Sequence, residues 1–226
     1  GSFNVAIGTG ALATANDNAN DGTVAIGHKA CYVQAVTAGA QFNGATVGIG
    51  YKALTALTTG VGNTAVGAYA GDALTTGYKN VGLGFGALST EDTGFYNTAV
   101  GFEALMTFNY DGEGSNTAVG YLAATLLSTG VHNVAIGSSA LGTHTTGHSN
   151  IAIGSGAMAD TDGTNITSGA GSTVSASIHN IFIGLDSGGG DWCNGGAAAA
   201  SNYNVAIGNY TMDAVMQGAL KNTALG

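Results

Sequence analysis

Three histidines and two acidic loops are the features of this sequence closest to metal chemistry. His144 and His148 have a spacing that zinc ligands use, and His132 lies one repeat earlier. A zinc site needs a closed set of ligands, and no Cys or carboxylate is placed to complete one. Segments 160–163 and 17–22 cluster the oxygens that calcium prefers, but turn chemistry explains their Asp-Gly pairs equally well. We therefore predict no metal site and interpret these residues as polar turns facing solvent.

Catalytic groups are equally sparse. The sequence contains no Gly-x-Ser-x-Gly elbow and no Gly-Lys-Ser/Thr phosphate loop. Glycosidases need two carboxylates facing each other across a groove, whereas Glu91 with Asp92 and Asp111 with Glu113 lie in glycine-flanked turns. We predict that the chain is not an enzyme and uses no cofactor.

The charge balance excludes further classes of partner. The 226 residues include four Lys, no Arg and 13 acidic residues, for a net charge of −9. A nucleic-acid binder needs a basic surface, so no nucleic acid is expected. Polar or glycine residues interrupt every apolar run well before the roughly 20 residues of a bilayer helix, so no membrane insertion is expected.

An internal repeat is the strongest signal in the sequence. The unit Asn-x-Ala-(Val/Ile)-Gly, or a close variant, occurs twelve times at a base period of 17 residues. Longer spacings keep the pattern, so the extra residues must leave as loops and re-enter at the same place. The closing glycines are Gly8, Gly27, Gly50, Gly67, Gly84, Gly101, Gly120, Gly137, Gly154, Gly184, Gly208 and Gly226.

The elements implied by this repeat are short strands. Ala-Leu or a related pair follows the closing glycine at offsets three and four, and Thr-Gly follows at offsets nine and ten. Two glycines per period weaken any helix, while the five-residue unit alternates as a strand does. We predict an all-β parallel solenoid of about 12 coils, forming a single repeat domain over 1–226. Loop insertions are expected at 33–43, 108–115, 160–179 and 188–202.

The strand's middle position is restricted to small residues. Val, Ile and Thr flank it, and we expect these flanking residues to face the core of the coil. The middle residue then faces outward, and its small size predicts close packing against other chains; a tight corner within one chain is the alternative. The first Asn of each unit is expected to stack and hydrogen-bond along the axis. The predicted interface residues are Ala65, Ala99, Ala118, Ala135 and Ala152.

These motifs resemble those of a known family. Segments 4–8, 133–137 and 204–208, each Asn-Val-Ala-Ile-Gly, look like the strand motif of trimeric autotransporter adhesin heads. The longer signature, from 97–101 through Ala-Leu to Thr-Thr-Gly, resembles repeats of phage tail fibres. The resemblance implies a left-handed parallel β-roll and a homotrimer, with three chains around one axis.

Lateral loops are the expected contact sites, because loops on rigid scaffolds often carry function. Aromatic side chains in the insertions suit stacking on a sugar or anchoring in a protein partner, although such a residue also often packs onto its own scaffold. The predicted contact residues are Trp192, Tyr203, Phe108, Tyr110 and Asp191.

The sequence therefore predicts a structural and adhesive segment of an extracellular trimeric fibre, at a cell surface or in a virion tail fibre. The expected partners are two further copies of the chain and a cell-surface glycan or protein receptor. Three alternatives stay open: a tail-fibre shaft with a purely structural role, an ice-binding solenoid using the recurring Thr pairs, and a self-polymerising extracellular filament.

Overall fold

The computed structural model describes residues 3–14, 21–34, 45–159, 177–190, 200–214 and 218–226. Within these ranges every strand is three residues long and no helix occurs. The chain divides into two compact units, Gly1–Ser115 and Asn116–Gly226, with six strands each. One continuous repeat domain over 1–226 stays a prediction.

Each strand coincides with the centre of one Asn-x-Ala-(Val/Ile)-Gly unit. The first compact unit holds β1 Val5–Ile7, β2 Val24–Ile26, β3 Val47–Ile49, β4 Thr64–Val66, β5 Val81–Leu83 and β6 Thr98–Val100. The second holds β7 Thr117–Val119, β8 Val134–Ile136, β9 Ile151–Ile153, β10 Ile181–Ile183, β11 Val205–Ile207 and β12 Thr223–Leu225.

Strands pair in parallel with the next strand along the chain inside each unit. Equivalent repeat positions lie opposite each other, as Thr64 pairs with Val81 seventeen residues later. The register also survives insertions, because Ile151 pairs with Ile181 across thirty residues. The predicted all-β parallel solenoid is confirmed.

The two strand faces are the reverse of the prediction. The middle residue is buried inside the coil from β2 to β11, while the flanking Val, Ile, Leu and Thr are half-buried or exposed. The reason is the narrow coil: a Cβ at the middle residue Gly82 would lie 3.2 Å from the carbonyl oxygen of Ala87 on the opposite wall. Small residues are thus required by a tight corner within one chain. The five alanines predicted to face other chains are at most 2% exposed: Ala65, Ala99, Ala118, Ala135 and Ala152.

Three further columns complete the interior. The alanine at offset three and the larger residue at offset four are buried, as in Ala53-Leu54 and Ala140-Leu141. The residue at offset seven is buried too, and it is apolar in Leu57, Leu74, Phe108 and Leu127. Most coils therefore bury only a few small or medium side chains, whereas Phe108 and Phe182 are large buried residues.

Close backbone contact between coils explains the closing glycine. From Gly8 to Gly208, the φ of this glycine lies between +123° and +142°. Residues with a side chain rarely adopt φ values in this region. At Gly67 an added Cβ would also overlap the carbonyl oxygen of Gly84 in the next coil. The glycine is fixed by stacking as well as by the turn.

Asparagines at the start of the strands form ladders, as predicted. In the second unit the side-chain oxygen of Asn116 accepts the backbone N–H of Asn133 at 2.9 Å. The amide nitrogen of Asn116 donates to the Gly130 carbonyl at 2.9 Å. The same pattern relates Asn133 to Asn150 and continues to Asn222. These buried amides satisfy the corner where each coil enters its strand.

The coil resumes at the asparagine corner after an insertion. The amide nitrogen of Asn133 donates to the Gly147 carbonyl, and that of Asn150 donates in the same way to Ser177, both at 2.9 Å. Ser177 thus takes the place of the repeat glycine directly after segment 160–176. The coil resumes its normal hydrogen bonding as soon as the extra residues end.

Candidate functional site

The predicted contact residues meet different outcomes. Phe108 is wrong as a surface contact, because its side chain is fully buried in the offset-seven column. Tyr110 is 40% exposed and Tyr203 is 50% exposed, each in a different compact unit. Trp192 and Asp191 lie outside the described residues. The aromatic at position 108 follows the alternative interpretation, packing onto its own scaffold.

The three histidines do not share a surface. His144 is fully buried, with its Nε2 3.2 Å from the Asn150 amide nitrogen, while His132 is exposed. In the part of the chain that the structure describes, no group of three or more His, Cys, Asp or Glu is arranged to hold a metal ion. Segments 160–163 and 17–20 lie outside that part.

Glu91 is a buried carboxylate in the offset-seven column, where neighbouring coils carry leucine or phenylalanine. Its oxygens accept backbone N–H groups from Thr93 at 3.0 Å, Gly94 at 2.6 Å and Tyr110 at 3.1 Å. Burial raises the pKa of Glu91 above its ordinary value, and the backbone hydrogen bonds lower it by less.

The surroundings of Glu91 indicate a structural role. In the preceding coil the N–H groups of Thr75, Thr76 and Gly77 all donate to the Asp92 carbonyl of the next coil. One coil later the chain carries the insertion 108–115, and the N–H groups of Thr93 and Gly94 bond to Glu91 instead. Glu91 satisfies amides at an insertion, which the sequence prediction of a simple glycine-flanked turn missed.

The outward face of the strands is largely apolar, with Thr at the first flanking position of β4, β6, β7 and β12. We call the outward flanking residues of the strands within each compact unit the strand face of that unit. Its members include β-branched and aliphatic side chains at regular coil spacing, none of them packed inside the coil. The most exposed, between 37% and 74%, are Val5, Ile7, Val66, Ile136, Ile207 and Leu225.

Aromatic rings stack at the corner that follows the strands of the first unit. We call His28, Tyr51, Tyr69, Phe85 and Phe102 the first ladder. Successive ring centroids are 5.5, 5.2, 5.9 and 5.3 Å apart, with stacked and edge-on contacts. All follow a closing glycine by one or two residues, a sequence signal that the repeat analysis did not use.

Shorter ring stacks lie at the corner that precedes the strands. In the first unit Tyr78 stacks on Phe95 at 4.5 Å, and Tyr96 meets both rings edge-on. In the second unit His179 stacks on Tyr203 at 5.0 Å. Both corners that border the strand face therefore carry aromatic side chains.

Lysine ammonium groups accompany these rings. Lys52 Nζ lies 5.4 Å from the ring centroid of Tyr51 and 5.6 Å from that of Tyr69. Lys29 Nζ lies 5.4 Å from the Tyr32 ring, and Lys79 Nζ is 5.4 Å from that of Tyr96. Three of the chain's four Lys thus lie against aromatic faces of the first unit.

Comparisons with known proteins give no match. No family model, no curated protein and no solved structure matches the chain. Among the described residues there is also no helix with the length and apolar character needed to cross a membrane. The exposed strand-face side chains and the aromatic rings at the neighbouring corners are the candidate functional surfaces.

Proposed function

We propose that this chain is a non-enzymatic structural and adhesive segment of an extracellular fibre, in which three copies associate through their strand faces. The coil takes the left-handed form that the resemblance to trimeric adhesin heads implies. The interface residues are the outward strand positions, because the alanines first expected there fill the coil interior.

The strand face is the observation that carries this proposal. Val66, Ile136 and Ile207 are 37%, 38% and 44% exposed, and each belongs to a column of similar apolar side chains. Exposed apolar side chains that recur over several coils of a unit typically mark an interaction surface. Because the same side chains recur at coil spacing, an identical chain lying alongside in parallel would present a matching column, which favours identical partners.

Adhesion is supported by aromatic side chains outside the strand face. Tyr110 and Tyr203 are exposed and belong to the regions predicted to contact a cell-surface glycan or protein receptor. The purely structural shaft uses the same strand face, so receptor binding is what separates the two hypotheses.

An ice-binding role receives less support from the threonines. The hydroxyl groups of Thr58 and Thr75 donate to carbonyl groups of the following coil at 2.9 and 3.1 Å. These hydroxyls are engaged within the protein, and the column is interrupted where Glu91 and Asp92 occur.

Light scattering with outward strand variants tests the proposal. We expect the wild-type protein to have three times the chain mass of 22.0 kDa. Val66→Lys and Ile136→Lys place charges in the interface and should give single chains with an unchanged circular dichroism spectrum. Thr59→Lys, at an exposed turn, is the matched control and should stay trimeric. A wild-type mass of one chain, or strand variants that remain trimeric, would contradict the proposed association.

A further inference from the structure

We propose that the first ladder binds a linear anionic polysaccharide, with sugar rings packed against the exposed parts of its aromatic side chains and acidic groups paired with Lys29 and Lys52. This inference rests on the proposed function for its adhesive role, and it does not depend on the number of chains in the fibre.

The shape of the ladder favours an extended ligand. Five rings occupy consecutive coils from His28 to Phe102, so the ladder runs about 19 Å at about 4.8 Å per coil. Tyr51, Phe85 and Phe102 remain 42–47% exposed despite their mutual contacts. A row of partly exposed rings at coil spacing offers repeated apolar contact positions, which match a polymer of repeated rings better than a compact ligand.

The distribution of positive charge favours an anionic ligand. The protein carries a net charge of −9, yet Lys29 and Lys52 occupy the offset-two positions of consecutive coils at the start of the ladder. Backbone hydrogen bonds hold this corner, since Lys52 N–H donates to the His28 carbonyl at 2.9 Å. The ammonium groups of Lys29 and Lys52 also lie against the rings of Tyr32 and Tyr51. A cationic ligand would need these ring positions, so the lysines disfavour it.

Carboxylates lie near both ends of the ladder. Asp72 is close enough to Lys52 for the ammonium group to lower its pKa, although burial raises that pKa more strongly. Glu103 follows Phe102 at the other end, where no lysine lies in the sequence nearby. Because the lysines occupy only the His28 end, we place the acidic groups of the ligand near Lys29 and Lys52 and its uncharged rings beside Phe85 and Phe102.

A nucleic acid shares the stacking chemistry but fits the charge less well. Its affinity depends on several basic residues that neutralise neighbouring phosphates, and the ladder carries only two. A polymer with sparser charge and alternating apolar ring faces matches a surface of five rings and two cations.

Binding of the full chain to defined polymers tests this inference. Immobilised hyaluronate and partly methyl-esterified polygalacturonate, whose acidic groups are separated by uncharged rings, are the anionic probes, and neutral dextran and single-stranded oligothymidine are the comparisons. We expect binding to at least one anionic polysaccharide that weakens at high salt, and much weaker binding to both comparisons. Lys52→Gln and Tyr69→Ala should each weaken binding by about fivefold or more, whereas Tyr69→Phe should retain it.

Matched controls come from the second unit. Tyr210 takes the same offset-two position as Tyr69, with φ 55° against 59°, and lies outside the ladders. Tyr210→Ala and Lys221→Gln should therefore leave binding unchanged. Tighter binding to oligothymidine, equal binding to neutral dextran, no binding to either anionic polymer, or equal losses in ladder and control variants would overturn the inference. A trimer without glycan binding would contradict only the ladder site, and a single chain that binds would contradict only the proposed association.

Discussion

The least replaceable residues of each coil are those where the backbone itself approaches the next coil. The closing glycine combines a φ near +135° with direct contact to the following closing glycine. Other positive-φ positions tolerate side chains, since Lys52, Leu54 and Lys79 adopt φ values between 53° and 58°. Stacking, and not the turn alone, separates the glycine column from these positions.

We expect Gly67→Ala to lower the free energy of unfolding by about 3 kcal/mol or more, because the methyl group meets the Gly84 backbone. Gly62→Ala is the control: its φ is +69°, its nearest neighbour would be the flexible Lys79 side chain at 3.4 Å, and a loss of about 1 kcal/mol is expected. Urea denaturation of both variants measures the difference. Equal losses would show that inter-coil contact is not the cause.

The protonation of Glu91 makes the free energy of unfolding depend on pH. Its folded pKa is raised, so the folded state holds the proton more tightly than the unfolded state does. The resulting stabilisation is complete below the unfolded pKa of about 4.3 and is lost as the pH rises through the folded value. We expect wild-type stability to fall relative to Glu91→Gln as the pH rises above about 4, measured by urea denaturation. Parallel pH profiles for the two proteins would refute this assignment.

At the scale of the element, strand positions could be predicted from the sequence but strand faces could not. The repeat locates all twelve strands, and the Asn column correctly predicts the amide ladders. Both faces of a Val-Ala-Ile strand are apolar, however, so hydropathy gives no contrast between inside and outside. The inward face is decided by the volume of the coil, which admits Ala135 but not its larger neighbours Val134 and Ile136.

One strand shows how that volume is shared between opposite walls. Phe182 fills the middle position of β10 with a large buried ring, and Gly188 stands at offset four, where other coils carry Leu54 or Leu141. A Cβ at Gly188 would overlap the Phe182 ring. In this coil the middle strand residue is large and the offset-four residue is small, which is the reverse of the coils that carry Leu54 or Leu141.

We expect Phe182 and Gly188 to tolerate substitution only when both are changed together. Phe182→Ala should cost about 3–5 kcal/mol through a cavity, and Gly188→Leu about 1–3 kcal/mol through overlap. The double variant restores the common arrangement, and φ +64° at residue 188 suits the leucine seen at this offset elsewhere. Thermal or urea denaturation of all four proteins gives the coupling energy. Additive losses would show that the two side chains do not share one space.

At the scale of the whole molecule, the sequence predicts the architecture far better than the candidate site. Phe108 belongs to the core because its offset matches that of Leu57 and Leu127, a comparison that depends on knowing which offsets point inward. The first ladder is visible as aromatics after closing glycines, but only stacking of the coils brings residues 16 or more apart into ring contact. Assembly adds a further level, since the strand face becomes an interface only if sister chains cover it.

The way the coil resumes after an insertion has a consequence for how such a protein can change. Ser177 directly follows segment 160–176, and its carbonyl accepts the Asn150 amide as the Gly147 carbonyl accepts that of Asn133. The strands on either side still pair in register, although thirty residues separate Ile151 from Ile181 where an uninterrupted coil has seventeen. A natural variant, or an engineered graft of a foreign epitope, can therefore add a recognition sequence at this segment while the buried columns on either side keep their alignment.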